Sequence, residues 1–303
     1  MRYYSFNQFL KEKFGERVQK ITLDAGFGCP NRDGSKGWGG CIYCDQFGSG
    51  SGAKKNYPDI KSQALAGMDY LTKRYNAHKF IPYFQSFSNT YAPVEKLRFL
   101  YEEVTHLPGV VGLAVGTRPD CINLEVLELL ASYTSRLMVW LELGLQSVHD
   151  ETLLLINRGH TYHEFLEGYQ LARKYPLLIC IHVIIGLPNE NREHIFDTAR
   201  ELARIKPDGI KLHSLYINRD TILEKMYREK KFNLLEQKEF VDLTCDFLEL
   251  MPPNVVIQRL TGDPNPSELV APEWTLRKNE TLQLIHKQLQ TRDSWQGKNL
   301  RLD

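Results

Sequence analysis

Three cysteines, Cys29, Cys41 and Cys44, stand in a C-x11-C-x2-C arrangement near the start of the chain. Thiolates are soft metal ligands, and three so close together point to a metal centre. A closed structural zinc site takes four ligands, and the next Cys or His is His78. Three thiolates suit a [4Fe–4S] cluster that leaves one iron open for a further ligand. A zinc knob and a redox dithiol at Cys41 and Cys44 are the competing readings. The glycine-rich stretch between Cys29 and Cys41 lets the backbone wrap closely round a bulky group.

The other residues with chemistry to offer lie in or beside strand-like runs. Along 139–146, alternation places Val139, Leu141, Leu143 and Leu145 on one face and Trp140, Glu142, Gly144 and Gln146 on the other. The same split recurs for Thr22 with Asp24, for Gly112, Ala114, Gly116 and Arg118, for Cys180, His182, Ile184 and Gly186, and for Lys211 with His213. A carboxylate within an apolar strand is costly unless paired or bound to a ligand, so Glu142 either meets a ligand or forms a buried ion pair with a lumen arginine. His182, His213 and Lys211 are catalytic candidates that compete with ordinary hydrogen-bonded core roles. Cys121, which follows Asp120 at the carboxyl end of a strand, is a candidate hydrogen-atom donor.

Strands are predicted near 19–25, 80–86, 110–117, 137–145, 178–185 and 209–217, and helices near 59–76, 93–105, 122–133, 162–174 and 191–205. Six strand–helix alternations imply a parallel sheet. Small and polar interior faces favour a partial barrel with a ligand-filled lumen over a doubly wound sheet. The chain divides into an N-terminal helical segment (1–18), an α/β core (19–220) and an extension (221–303) that closes the barrel or shapes the substrate side. The extension carries a helix near 236–250, a strand near 255–260 and a helix near 275–290. The run Gly48-Ser49-Gly50-Ser51-Gly52 reads as a loop, and Cys121, Cys180 and Cys245 otherwise read as small core residues.

With 303 residues, 42% apolar and 25% charged, the composition is that of a globular protein able to bury a large core. No stretch is apolar enough for a membrane span and no signal-peptide core begins the chain, so a cytoplasmic protein with no membrane partner is expected. Six cysteines in so long a chain do not make a secreted disulfide scaffold. A net charge of +1 neither attracts nor excludes nucleic acid.

Beyond these readings, the chain resembles the radical S-adenosylmethionine (SAM) superfamily, and within it the YhcC/YtqA-like subgroup related to the Elongator catalytic subunit. The stretches that carry the resemblance are Cys29-Pro30-Asn31-Arg32-Asp33-Gly34, Gly116-Thr117-Arg118-Pro119-Asp120-Cys121, Leu141-Glu142-Leu143-Gly144-Leu145-Gln146-Ser147, Ile156-Asn157-Arg158-Gly159-His160 and Gly186-Leu187-Pro188. It implies a partial (β/α)6 barrel with a C-terminal α/β extension, a [4Fe–4S] cluster on Cys29, Cys41 and Cys44, and SAM bound at the open iron. It also implies SAM contacts from Gln85, Ser88 and Asn89 at the end of the second strand, where relatives often carry Gly-Gly-Glu. Further contacts would come from Arg118, Glu142 and Gln146, from Arg158 as a carboxylate clamp, and from the backbone at Ile184 and Gly186 against adenine. An electron donor of flavodoxin or ferredoxin type follows from the same resemblance.

The resemblance points to a tRNA wobble uridine as substrate, with 5-carboxymethylaminomethyl-uridine trimmed to 5-aminomethyl-uridine. Two basic runs are candidate RNA contacts: Lys225, Arg228, Lys230 and Lys231, with Tyr227 and Phe232 available to stack a base, and Arg277, Lys278, Lys287, Arg292, Lys298 and Arg301. A small molecule or protein substrate, and a non-catalytic iron–sulfur or zinc protein, are the alternatives.

Overall fold

Strand–helix alternation runs through most of the chain, whose structure, a computed structural model, describes residues 2–48, 50, 54 and 56–301. The order is α1 (Phe6–Phe14), β1 (Val18–Leu23), α2 (Ile60–Tyr75), β2 (Lys79–Phe84), α3 (Val94–Thr105), β3 (Gly112–Thr117), α4 (Leu124–Ser132) and β4 (Met138–Gln146). Next come α5 (Asp150–Leu155), α6 (Tyr162–Ala172), β5 (Leu178–Ile185), α7 (Arg192–Ile205) and β6 (Gly209–Ser214). The remainder holds β7 (Ile217–Asn218), α8 (Ile222–Arg228), α9 (Gln237–Leu250), β8 (Val256–Arg259), β9 (Leu269–Ala271) and α10 (Lys278–Thr291). Capping side chains set the helix starts: Asp59 accepts from Ser62 N–H, Asn123 from Val126 N–H, and Thr161 with Glu164 forms a capping box.

Seven parallel strands pair in the order β1-β2-β3-β4-β5-β6-β8, so the extension contributes the last strand of the sheet. The sheet curls into a half-barrel. Its two edges come within side-chain reach, where Lys20 on β1 donates to Gln258 on β8 at 2.7 Å. The N-terminal segment sits across this seam, with Ser5 bridged to Ile257 and Ile257 N–H donating to Tyr4 O at 2.8 Å.

The expected strand over 209–217 divides in two. β6 stops at Ser214, and β7 turns away to pair antiparallel with β9. The helices α5 and α8, of 6 and 7 residues, are too short for apolar periodicity to reveal. Of the expected Gly48–Gly52 loop, Ser49, Ser51 and Gly52 lie outside the described residues.

The faces separate as alternation requires. Val139, Leu141, Leu143 and Leu145 join the large core between sheet and helices. Trp140, Ala114, Tyr83, Cys180, Met138 and Leu10 form a second cluster that plugs the amino end of the lumen. Trp140 is fully buried and meets the rings of Phe6 and Phe9 edge-on at 5.9 and 5.7 Å, which docks α1 as the barrel floor. Trp140→Ala should therefore destabilise the protein by about 3–5 kcal/mol in urea unfolding. It should also speed hydrogen exchange in 6–14, whereas unchanged exchange there would contradict this account of α1.

Candidate active site

The loop after β1 brings Cys29, Cys41 and Cys44 to the rim of one cavity of about 620 Å³. That volume is typical of a site for a small molecule or cofactor. The loop is held by the segment after α5. Ile42 N–H donates to Ile156 O at 3.0 Å, and the Asn157 side chain donates to Gly40 O at 2.8 Å. Asn31 returns a bond from its side chain to Asn157 O at 2.6 Å. Arg32 clamps the far end by donating to Cys44 O at 2.8 Å and Asp45 O at 2.6 Å. Two glycines are obligatory here. Gly40 has φ +77°, and a Cβ on it would fall 2.7 Å from Arg32 Nε; Gly159 has φ +71°, and a Cβ there would fall 2.6 Å from Asn31 Oδ1.

Cys41 is the electrostatic focus of the rim. Its buried sulfur receives Arg158 Nη1 at 3.6 Å and Asn31 Nδ2 at 3.8 Å. Burial opposes ionisation, but the Arg158 and Arg118 guanidinium groups outweigh it and hold the thiol below its ordinary pKa. Cys44 moves the other way, pushed up to about 12 by burial and by the charge of Cys41. A thiol so placed ionises against added positive charge, which iron supplies.

Among the described residues, no three His, Cys, Asp or Glu side chains gather closely enough to grip one metal ion. The thiols instead stand around a shared cavity, which fits a polynuclear group whose irons take one thiolate each. Hydrogen bonds to a ligand sulfur, as at Cys41, tune such a group's potential.

Behind the rim, Arg158 also donates through Nη2 to Gly144 O at 2.5 Å. Arg118 donates to Arg158 O at 2.7 Å and grips Asp120 with two bonds of 2.9 and 3.0 Å. Lys36 from the cysteine loop reaches Asp120 at 3.1 Å and Glu164 at 3.0 Å. The loops after β1, β3 and β4 are thereby tied together. The Arg158 side chain is buried, which excludes a role as an exposed helix cap.

Deeper in the lumen, Glu142 has no exposed surface. Lys20 Nζ donates to its Oε1 at 2.5 Å, His182 Nε2 lies 2.9 Å from Oε2, and Lys211 forms an ion pair with Oε2. Its partners are thus two lysines and a histidine rather than an arginine. Burial alone would raise its pKa, but Lys20 and Lys211 hold it well below the usual carboxylate range. Burial and the neighbouring cations keep His182 neutral, with its pKa down to about 4, and burial pulls Lys211 down to about 7.

Gln85, Ser88, Arg118, Glu142, Gln146, Arg158 and Ile184 line the cavity, together with His182, Lys211 and His213. Asn89 and Gly186 sit behind its wall. Asn89 braces β3 by donating to Gly116 O at 2.8 Å, and Gly186 packs against Leu235. Cys121 lies in a short 3₁₀ turn, Pro119–Cys121, off the lining, with its thiol pushed up to about 12 mainly by burial. Lys20, Tyr83, Gln258 and Arg259 belong to the chamber and were not singled out by the sequence. Only Lys20 carried a signal, since it shares its alternating face with Thr22 and Asp24.

The expected RNA contacts divide. Phe232 is buried beside Leu223 and Ile217, so it is a packing residue and offers no face for a base. Arg228 pairs with Glu224, Lys231 with Glu229, Arg277 with Glu280 and Lys278 with Asp263. Arg292 is held by Asp242 and Asp246 between α9 and α10. The first four of these pairs lie at the surface, and Lys225, Lys230, Lys287, Lys298 and Arg301 are exposed as well. Among the described residues, no helix is long and apolar enough to cross a membrane.

Comparison with known proteins gives concordant matches. A profile described as "Radical SAM superfamily" matches residues 26–202, and one described as "Radical_SAM C-terminal domain" matches 207–291. The chain is 42% identical to YtqA of Bacillus subtilis (strain 168) over 297 residues, covering 98% of this chain and 92% of that protein. It is 32% identical over 174 residues to the tRNA uridine(34) acetyltransferase of Dehalococcoides mccartyi (strain CBDB1), covering 56% of this chain and 37% of that protein. The solved structure of archaeal Methanocaldococcus infernus Elp3 with its N-terminus deleted superposes with a TM-score of 0.72 at 18% identity, over 92% of this chain and 64% of that one. This last likeness is one of fold.

The Glu142 cluster makes a pH-dependent prediction. Its folded pKa lies below the unfolded value, so its stabilisation is complete above an unfolded pKa of about 4.3 and is lost as pH falls below it. Glu142→Gln leaves two lysines unbalanced and should lower stability at neutral pH by about 3–5 kcal/mol. It should also flatten the loss of stability between about pH 5 and pH 3, measured by urea unfolding at each pH. Wild-type stability with an unchanged acid limb would contradict the cluster's role.

Proposed function

The chain belongs to the radical SAM superfamily, whose cofactors are a [4Fe–4S] cluster and SAM, and on that premise we propose that it trims a tRNA wobble uridine from 5-carboxymethylaminomethyl- to 5-aminomethyl-uridine. The observation that carries the catalytic reading is the single chamber with three thiols at its rim and a charged, hollow interior. The tRNA substrate is supported by the stretch shared with the tRNA uridine(34) acetyltransferase.

Cys29, Cys41 and Cys44 would hold the cluster. When bound, cluster and SAM would supply reductive cleavage of SAM and abstraction of a substrate hydrogen atom. Arg158 and Asn31 keep the Cys41 sulfur in an electropositive, hydrogen-bonded setting. Arg118, pinned by Asp120, fixes the Arg158 backbone and so acts as a positioning residue. Gln85, Ser88 and Gln146 offer polar groups at the carboxyl ends of β2 and β4 to orient SAM. The apolar floor around Trp140 excludes water from below. A flavodoxin or ferredoxin would deliver the electron at the rim.

Two measurements test this reading. Anaerobically reconstituted, reduced protein should form 5′-deoxyadenosine from SAM, and Cys41→Ala should abolish it. Bulk tRNA from a deletion strain should accumulate 5-carboxymethylaminomethyl-uridine, restored to wild type by the intact gene and not by Cys41→Ala. Equal 5′-deoxyadenosine from the variant would sink the radical reading. An unchanged nucleoside profile in a strain without a redundant enzyme would sink the tRNA substrate.

A further inference from the structure

β5, β6 and β8 place three cation-capable side chains side by side. His182 is in register with Lys211, and Lys211 with Arg259. All three line the cavity, and neighbouring strands lie about 4.8 Å apart. Arg259 points inward because of a bulge. Ile210 pairs with Ile257 and Lys211 with Arg259, so Gln258 is an extra residue on β8. The bulge lets two consecutive side chains enter the lumen: Gln258, which accepts from Lys20, and Arg259.

These cations are poorly balanced. Among the described residues, Lys20 and Lys211 share one carboxylate at this depth, Glu142. Among the described residues, Arg259 has no hydrogen-bond or ion-pair partner, and its strand neighbours Gln258 and Leu260 supply no negative charge. Of the carboxylates nearer the mouth, Glu268 accepts from Ser267 at 3.4 Å and forms no ion pair with Arg259. Asp263 pairs with Lys278, and Asp45 accepts from Asn218 at 2.8 Å. The buried Gln258 Nε2 likewise has no acceptor. A half-buried guanidinium facing a cavity, with a lysine beside it and no counter-charge, is a place for an anion.

Resting on the function proposed above, we infer that Arg259, assisted by Lys211, is a subsite that holds the carboxylate of the substrate. The planar guanidinium fork matches a carboxylate with two parallel hydrogen bonds. A side chain ending in a carboxylate and extended from a larger body reaches this depth, with its body left at the mouth. SAM also carries a carboxylate, and Arg158 stands on the other side of the chamber beside Cys41. The experiment therefore separates the two sources.

Among the described residues Arg259→Gln removes no hydrogen bond or ion pair, and Arg259→Lys keeps a point charge without the fork. For the SAM-loaded, cluster-reconstituted protein, thermal stabilisation by N-methylglycine is compared with that by N-methylglycinamide, which lacks the carboxylate. The wild type should respond to the acid and not to the amide. Arg259→Gln should need about 10- to 100-fold more acid for the same shift, with Arg259→Lys between them. The SAM dissociation constant should stay that of the wild type in both variants. A parallel binding assay uses anticodon stem-loops bearing 5-carboxymethylaminomethyl- or 5-aminomethyl-uridine, and Arg259→Gln should weaken only the carboxylated one. Loss of SAM affinity with no change in acid response would assign the site to SAM and overturn the inference. Equal wild-type response to acid and amide would overturn it as well. If the acid response depends on Arg259 but neither stem-loop binds, the subsite stands and the tRNA substrate falls.

Discussion

Glu142 is a carboxylate sealed from solvent in the middle strand of the sheet, and much of the chamber is arranged around keeping it charged. Lys20 comes from β1, Lys211 from β6 and His182 from β5, so one side chain ties four strands across the lumen. Lys20 extends the tie to Gln258 on β8, joining the two edges of the sheet. Burying a lone carboxylate costs several kcal/mol, and only this ring of donors offsets it. A lumen that houses such a network cannot fill with aliphatic layers as a closed barrel does. The apolar plug stops at Trp140, and above it the interior stays hollow.

The rim obeys a related constraint. Its cysteine loop has little regular structure, so its backbone groups find partners in other loops. Asn31, Arg32 and Asn157 supply them, and the Arg118–Asp120–Lys36 chain locks the loop after β3 to both. The same arginines that fasten the loops concentrate positive charge at Cys41 and so favour its thiolate. A cluster bound there would be held in a site whose hydrogen bonds already point at sulfur.

Much of this chamber could be read from sequence because it depends on local patterns. The three cysteines, the alternation through 139–146 and the strand–helix rhythm each report on residues close in the chain. Lys20 and Arg259 escaped for a physical reason. The partners of Lys20 lie 122 and 238 residues away, and the period-two rule places Arg259 on the helix-facing side with Ile257, which the bulge at Gln258 reverses. Phe232 misled because its neighbours are charged, while the helix before it, α8, turns it into a core shared with Ile42 and Leu153. In the basic runs the sequence does not show the acidic partners of Arg228, Lys231, Arg277, Lys278 and Arg292, which come from the adjacent turn or from another element.

The central claim is that one chamber holds a cluster with an iron open to SAM, and electron paramagnetic resonance of the anaerobically reconstituted, reduced protein tests it most directly. The account predicts a reduced-cluster signal whose g-values shift when SAM is added, with the signal lost in a Cys44→Ala variant. A signal indifferent to SAM, or one undiminished without Cys44, would contradict it.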